Sequence, residues 1–74
     1  MEILLKILTD IAPEVDFYRE EHLVEDGFLD SYDIITIVAE LDGTLGIRLD
    51  AQDLTPENFN SARALYDLIR RKES

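Results

Sequence analysis

Apolar residues recur along this chain in three runs that share one helical period, i, i+3, i+4, i+7. The first has Leu4, Ile7, Leu8 and Ile11 and stops before Pro13, whose ring and missing N–H do not allow a helix to continue. The second has Ile34, Ile37, Val38 and Leu41, continued by Leu45. The third has Ala62, Leu65, Tyr66 and Ile69. It opens at Asn60-Ser61, both good capping residues, and closes on Arg70, Arg71 and Lys72, whose charges suit the negative end of a helix dipole. No segment sustains the alternation that a half-buried strand requires. After the second run Gly46 ends the element, and Ile47 and Leu49 can anchor the chain that follows. Asp50 can cap a single turn reaching Leu54, and Thr55-Pro56 reads as an N-cap followed by proline at the first helical position, with Phe59 as its anchor. The pattern predicts an all-α fold of three main helices plus one short helix, in a single domain spanning residues 1–74.

The connection between the first two helices, residues 12–29, is long for a compact domain, and connections of that length are often functional. It carries Phe17, Tyr18, Leu23, Val24, Phe28 and Leu29, which are expected to pin it to the core. Seventy-four residues without cysteine have no disulfide framework and no thiolate metal site. A domain this small must rest on packed apolar faces, and helices are the economical way to build them. With 46% hydrophobic residues, the chain has enough apolar material to order itself.

Charge narrows the choice of partners. Seven basic residues against 17 acidic ones leave a formal net charge of -10. Such a surface repels nucleic acid and anionic membranes and steers towards basic protein surfaces. Self-repulsion should weaken the fold at low ionic strength. The apolar run in residues 1–11 is broken by Lys6 and Asp10 and lacks a basic start and a cleavage pattern. No stretch approaches the length of a membrane span. A cytoplasmic monomer is therefore expected.

The candidate chemistry lies at Leu29-Asp30-Ser31-Tyr32-Asp33, where an acidic loop turns into the second helix. Asp30 can cap that helix by accepting a hydrogen bond from a backbone N–H two or three residues on. That places Ser31 at the first helical position, where free N–H groups and the positive end of the dipole favour an attached anion by about 0.3–1 kcal/mol. Asp26, Asp30 and Asp33 oppose such an anion, so recognition by a basic partner explains the acids better. At roughly 100° per residue, Ile34, Ile37, Val38, Leu41 and Leu45 share one side, Tyr32, Thr36 and Ala39 fall nearly opposite, and Ile35 lies on the flank. Tyr32 and Ile35 then either face solvent beside Ser31 or pack under the 12–29 connection. Asp33 and Glu40 give this second stripe an acidic edge. A serine in this setting reads as a modification site, and Tyr32, Asp33, Ile35, Thr36, Ala39 and Glu40 as the surface a partner would touch.

The run Glu25-Asp26-Gly27-Phe28-Leu29-Asp30-Ser31-Tyr32-Asp33, followed by Glu40-Leu41-Asp42 and Leu45-Gly46-Ile47, resembles the acyl carrier protein family, including peptidyl and D-alanyl carrier proteins. The resemblance covers nearly the whole chain. It implies a four-helix bundle with 4′-phosphopantetheine on Ser31, moved there from coenzyme A by a phosphopantetheinyl transferase. The terminal thiol would carry an acyl or aminoacyl thioester loaded by a dedicated ligase or synthase with a basic docking surface, and the chain itself would catalyse nothing. Asp30-Ser31-Tyr32 stands in place of the familiar Asp-Ser-Leu. Thr36, Ala39 and Gly43 stand where fatty acid carriers often bear acidic or larger residues. With Pro56-Glu57-Asn58-Phe59, these features are more like stand-alone carriers of specialised pathways.

Other chemistry has less support. His22 is the only histidine, so a multi-histidine metal site is impossible, and it is expected to face solvent or pack in the loop. A Ser-His-Asp constellation would need a pocket and an oxyanion hole that so small a domain has little room for. The acids do not follow EF-hand spacing. Gly27, Gly43 and Gly46 read as turns and helix ends rather than a phosphate loop. The alternative from another class is an unmodified acidic helical adaptor that binds protein through the Tyr32–Ile35–Ala39 stripe.

Overall fold

The computed structural model describes residues 2–73; Met1 and Ser74, which the single-domain expectation also spans, lie outside the described residues. Three main helices form where the three apolar runs predict them: α1 (Glu2–Ile11), α2 (Ser31–Leu45) and α4 (Ala62–Glu73). A 3₁₀ turn, Ala51–Asp53, and the one-turn helix α3, Pro56–Phe59, fill the segment between α2 and α4. No strand occurs among the described residues. α1 packs against α2 and α4, and α3 packs against α4.

Each main helix buries one stripe. Leu4, Ile7 and Leu8 point inward from α1, Ile37 and Leu41 from α2, and Ala62, Leu65, Leu68 and Ile69 from α4. Phe59 closes the short helix onto this core, and Ile47 follows α2 into it. The long connection contributes Ala12, Val15, Phe17, Leu23 and Leu29. Burying one large side chain contributes roughly 1.5–3 kcal/mol, so a connection with these anchors is part of the core rather than a loose tether. Two of its expected anchors are not in the core. Tyr18 is 85% exposed and Phe28 is 42% exposed. Outside a helical period, sequence neighbours of buried residues carry no facing information, and here Phe17 and Leu29 go in while Tyr18 and Phe28 face out.

The helix ends follow local chemistry. α1 stops at Ile11, before Pro13. Gly46 closes α2 in the left-handed region at φ 68°, with its N–H bonded back to Asp42 and Leu41 carbonyls. A residue with a Cβ is strained in that conformation. Gly43, by contrast, is not at a helix end: it lies inside α2, exposed, and a Cβ built on it meets nothing within 4 Å. Gly43→Ala should therefore stabilise the domain by about 0.5–1 kcal/mol, read as a higher urea midpoint with an unchanged slope.

The basic residues closing α4 do more than complement its dipole. Lys72 Nζ lies 2.8 Å from Asp53 Oδ2 and 3.5 Å from Asp50 Oδ2. Arg71 donates to Asn58 Oδ1 at 3.4 Å. The same Asp53 oxygen accepts the Asp50 N–H at 2.8 Å, so the 3₁₀ turn is latched to the last turn of α4. The Lys72 hydrogen bond, helped by the Asp50 N–H, holds the Asp53 carboxyl below its ordinary value, and Asp53 holds Lys72 above its own. A depressed carboxyl stabilises the fold above its unfolded pKa, near pH 4, and that contribution is lost as pH falls through the lower folded value. Asp53→Asn should accordingly lower the melting temperature at neutral pH. The gap from wild type should narrow as pH falls below about 4, which thermal melts at neutral and acid pH would check.

Candidate functional site

α2 begins at Ser31 because the residue before it is an effective cap. Asp30 has extended backbone, φ -109° and ψ -175°, and its Oδ1 accepts the Asp33 N–H at 2.9 Å. Asp33 Oδ2 reciprocates, accepting the Asp30 N–H at 3.3 Å. Two otherwise orphaned donors at the helix start are thus satisfied by two carboxylates, an arrangement worth about 1 kcal/mol for the N-cap alone. The expected cap by Asp30 is observed, and Asp33 is its partner in it. Ser31 occupies the first helical position with its side chain exposed.

The choice left open by the helical wheel is settled by exposure. Tyr32 is 76% exposed and Ile35 64% exposed; neither packs under the long connection. Ala39 and Glu40 are exposed on the same helix, while Asp33 and Thr36 are half-buried. Thr36 Oγ1 donates to the Tyr32 carbonyl at 2.9 Å, so its hydroxyl hydrogen is turned back onto its own helix and leaves only a methyl group and an acceptor for any partner. Phe28, the exposed aromatic that precedes Leu29, adds to the apolar surface at the loop end of α2. The surface from residue 28 to residue 40 is therefore a serine flanked by exposed apolar side chains, with Asp26, Asp30 and Glu40 exposed near it in sequence.

No protein-family model matches the chain, and no curated protein matches it.

The loop that delivers the chain to Ser31 is stitched rather than free. The His22 carbonyl accepts the Asp26 N–H at 2.8 Å, the Leu23 carbonyl accepts Leu29 N–H at 2.9 Å, and the Val24 carbonyl accepts Gly27 N–H at 3.2 Å. Gly27 takes the positive φ, 81°, that this tight reversal needs. Asn60 holds the loop from the far side of the sequence. Its Oδ1 accepts the Val24 and Glu25 N–H groups at 3.0 and 3.2 Å, and its Nδ2 donates to Glu25 Oε1 at 2.6 Å. Asn60 and Ser61 both look like caps in the sequence. Only Ser61 caps α4, accepting the Ala64 N–H at 3.0 Å, while Asn60 serves the loop.

His22 is exposed, with Nδ1 3.4 Å from Glu25 Oε1, as its solvent-facing expectation has it. No group of three or more histidine, cysteine or carboxylate side chains among the described residues could hold a metal ion. No described helix is long and apolar enough to cross a membrane. An open groove of about 440 Å³ is lined by Ile3, Leu45, Tyr66 and Arg70 among others. It lies by the last residue of α2, about 21 Å along the helix axis from Ser31 at 1.5 Å per residue. The surface around Ser31 is thus a presented face, not the wall of that groove.

Proposed function

We propose that this chain is a stand-alone carrier protein of the acyl carrier type. It holds acyl or aminoacyl intermediates as thioesters on 4′-phosphopantetheine attached to Ser31 and presents them to partner enzymes. The observation that carries this reading is the division of labour at the start of α2. Asp30 and Asp33 cap each other, so the exposed Ser31 has no capping task and its hydroxyl is free for chemistry. The setting also fits the group. A phosphodiester on Ser31 would face the free N–H end of a 15-residue helix, and the exposure of the side chain leaves the arm clear of the core.

In the attachment step the Ser31 oxygen attacks the coenzyme A phosphorus that bears pantetheine. A new P–O bond would form as the pyrophosphate P–O bond breaks, the serine proton would pass to the transferase, and adenosine 3′,5′-bisphosphate would leave. The bound arm supplies a thiol, which this cysteine-free chain otherwise lacks. The chain's own contribution is presentation: Asp30 and Asp33 fix the turn, and Tyr32, Ile35 and Ala39 offer an apolar contact edged by Glu40. Acidic charge near the serine suits a transferase, ligase or synthase with a basic docking surface.

Incubation with coenzyme A and a broad-specificity phosphopantetheinyl transferase tests the reading by intact mass. Wild type should gain one phosphopantetheine, and Ser31→Ala should gain none while keeping its helical circular dichroism. No gain on wild type, under conditions that modify a control carrier, would leave the unmodified adaptor as the better account of the exposed Tyr32 and Ile35.

A further inference from the structure

We propose that Asn60 is the positioning residue of the Ser31 site: from the corner between α3 and α4 it sets the loop that presents the serine. The inference rests on the carrier reading and adds to it a control point 29 positions away in sequence, which no feature of the Ser31 motif points to.

Three consecutive loop amides end on this one residue. The Asn60 carbonyl accepts the Leu23 N–H at 2.8 Å, and its Oδ1 accepts those of Val24 and Glu25 at 3.0 and 3.2 Å. The fourth bond runs the other way, from Nδ2 to Glu25 Oε1 at 2.6 Å. The chemistry selects asparagine. Serine or threonine lacks the second polar atom. Aspartate supplies the acceptors but sets a carboxylate against Glu25. Glutamine is a methylene too long. Asn60 is itself held on both sides, since it ends α3 behind the buried Phe59 and precedes Ser61, the cap of α4.

From this clamp the connection to the serine is short. The Leu23 carbonyl accepts the Leu29 N–H at 2.9 Å, and both leucines are buried. Leu29 is followed directly by Asp30, whose reciprocal bonds with Asp33 open α2. The Asn60 side chain therefore reaches the first helical position of α2 through Val24, its neighbour Leu23, Leu29 and Asp30. Each step is a hydrogen bond or a covalent neighbour. Without the Asn60 side chain, the main-chain bonds and the buried leucines still tie the loop to the core, but the Val24 and Glu25 amides lose their acceptor. The domain keeps its fold while the serine is presented less well.

The test uses the full chain in its unmodified form, at a temperature where every variant has wild-type circular dichroism. Asn60→Ala should speed amide hydrogen exchange at Val24 and Glu25, whose acceptor it removes, and at Leu29 beyond them, while leaving the protected amides of α1 and α4 as they are. Its kcat/KM with the transferase should fall about 10- to 100-fold, the scale on which misplacing a reacting group acts. Asn60→Asp should be as poor. Asn60→Asp combined with Glu25→Gln should recover to within about threefold of wild type, because the donor and acceptor across the contact have exchanged places. General loss of stability would not be rescued by a second substitution of this kind. Unchanged exchange at these three amides in Asn60→Ala overturns the coupling, as does a double variant no better than Asn60→Asp alone. The exchange measurement needs no transferase. A wild-type chain that the enzyme leaves unmodified instead overturns the carrier reading, and with it the purpose assigned to the clamp.

Discussion

Leu41→Ala is expected to cost about 2–5 kcal/mol of stability, while Ile35→Ala on the same helix costs less than about 0.5 kcal/mol. Leu41 is fully buried, with 0% of its surface exposed, and its truncation leaves a cavity between α2 and the rest of the core. Native domains are stable by roughly 0.05–0.15 kcal/mol per residue, so this one has on the order of 4–11 kcal/mol to lose. The core substitution should therefore consume a large part of the total. Ile35 is well exposed, and alanine is the better helix former. Urea denaturation of the two variants compares them directly. Equal losses would mean that Ile35 is packed, and the presented face of α2 would not exist as described.

That contrast shows what periodicity can and cannot reveal. Leu4, Ile7, Leu8, Ile37, Leu41, Leu65 and Ile69 are legible as core because a 3.6-residue period assigns them to one face, and all are buried. Asp30 and Ser61 are legible as caps because capping is local, satisfied within three residues. The position of Ser31 follows from Asp30 for the same reason. The misread residues lie where no period operates. Tyr18 and Phe28 have the hydrophobicity of anchors but no repeating neighbours to say which way they face. Gly43 has the composition of a terminus, yet α2 runs through it because Gly46, three residues later, supplies the left-handed stop. Long-range polar contacts are the least legible. Nothing near Asn60 in sequence shows that it will bind residues 23–25, and nothing near Lys72 shows that Asp53 lies 2.8 Å away. Both contacts exist only after the helices have brought distant segments together. Exposure of Tyr32 and Ile35 is of the same kind: the helical wheel puts them off the core face, but only the course of the long connection decides that nothing covers them.

Ile35→Asp should then separate function from folding on that uncovered face. Under the proposed function, the transferase and the loading enzyme meet α2 on the side that bears Ser31, and a large exposed apolar residue one turn along is the natural anchor of that contact. A central anchor is typically worth 2 kcal/mol or more at an interface, so its replacement by a charge should reduce kcat/KM for modification by about 30-fold. Stability should change little, because the side chain contributes almost nothing to the core. Ile3→Asp provides the matched control. Ile3 is also exposed, 53% by surface, but sits beside Leu45 at the far end of α2, and a charge there should leave modification at the wild-type rate. Two outcomes would count against the docking face. If Ile35→Asp is modified as readily as wild type, the enzyme does not read the apolar stripe. If Ile3→Asp is impaired to the same degree, added negative charge rather than lost contact is responsible, since both variants raise the net charge from -10 to -11. A defect confined to Ile35 is the result that ties partner recognition to the same helix turn that presents the serine.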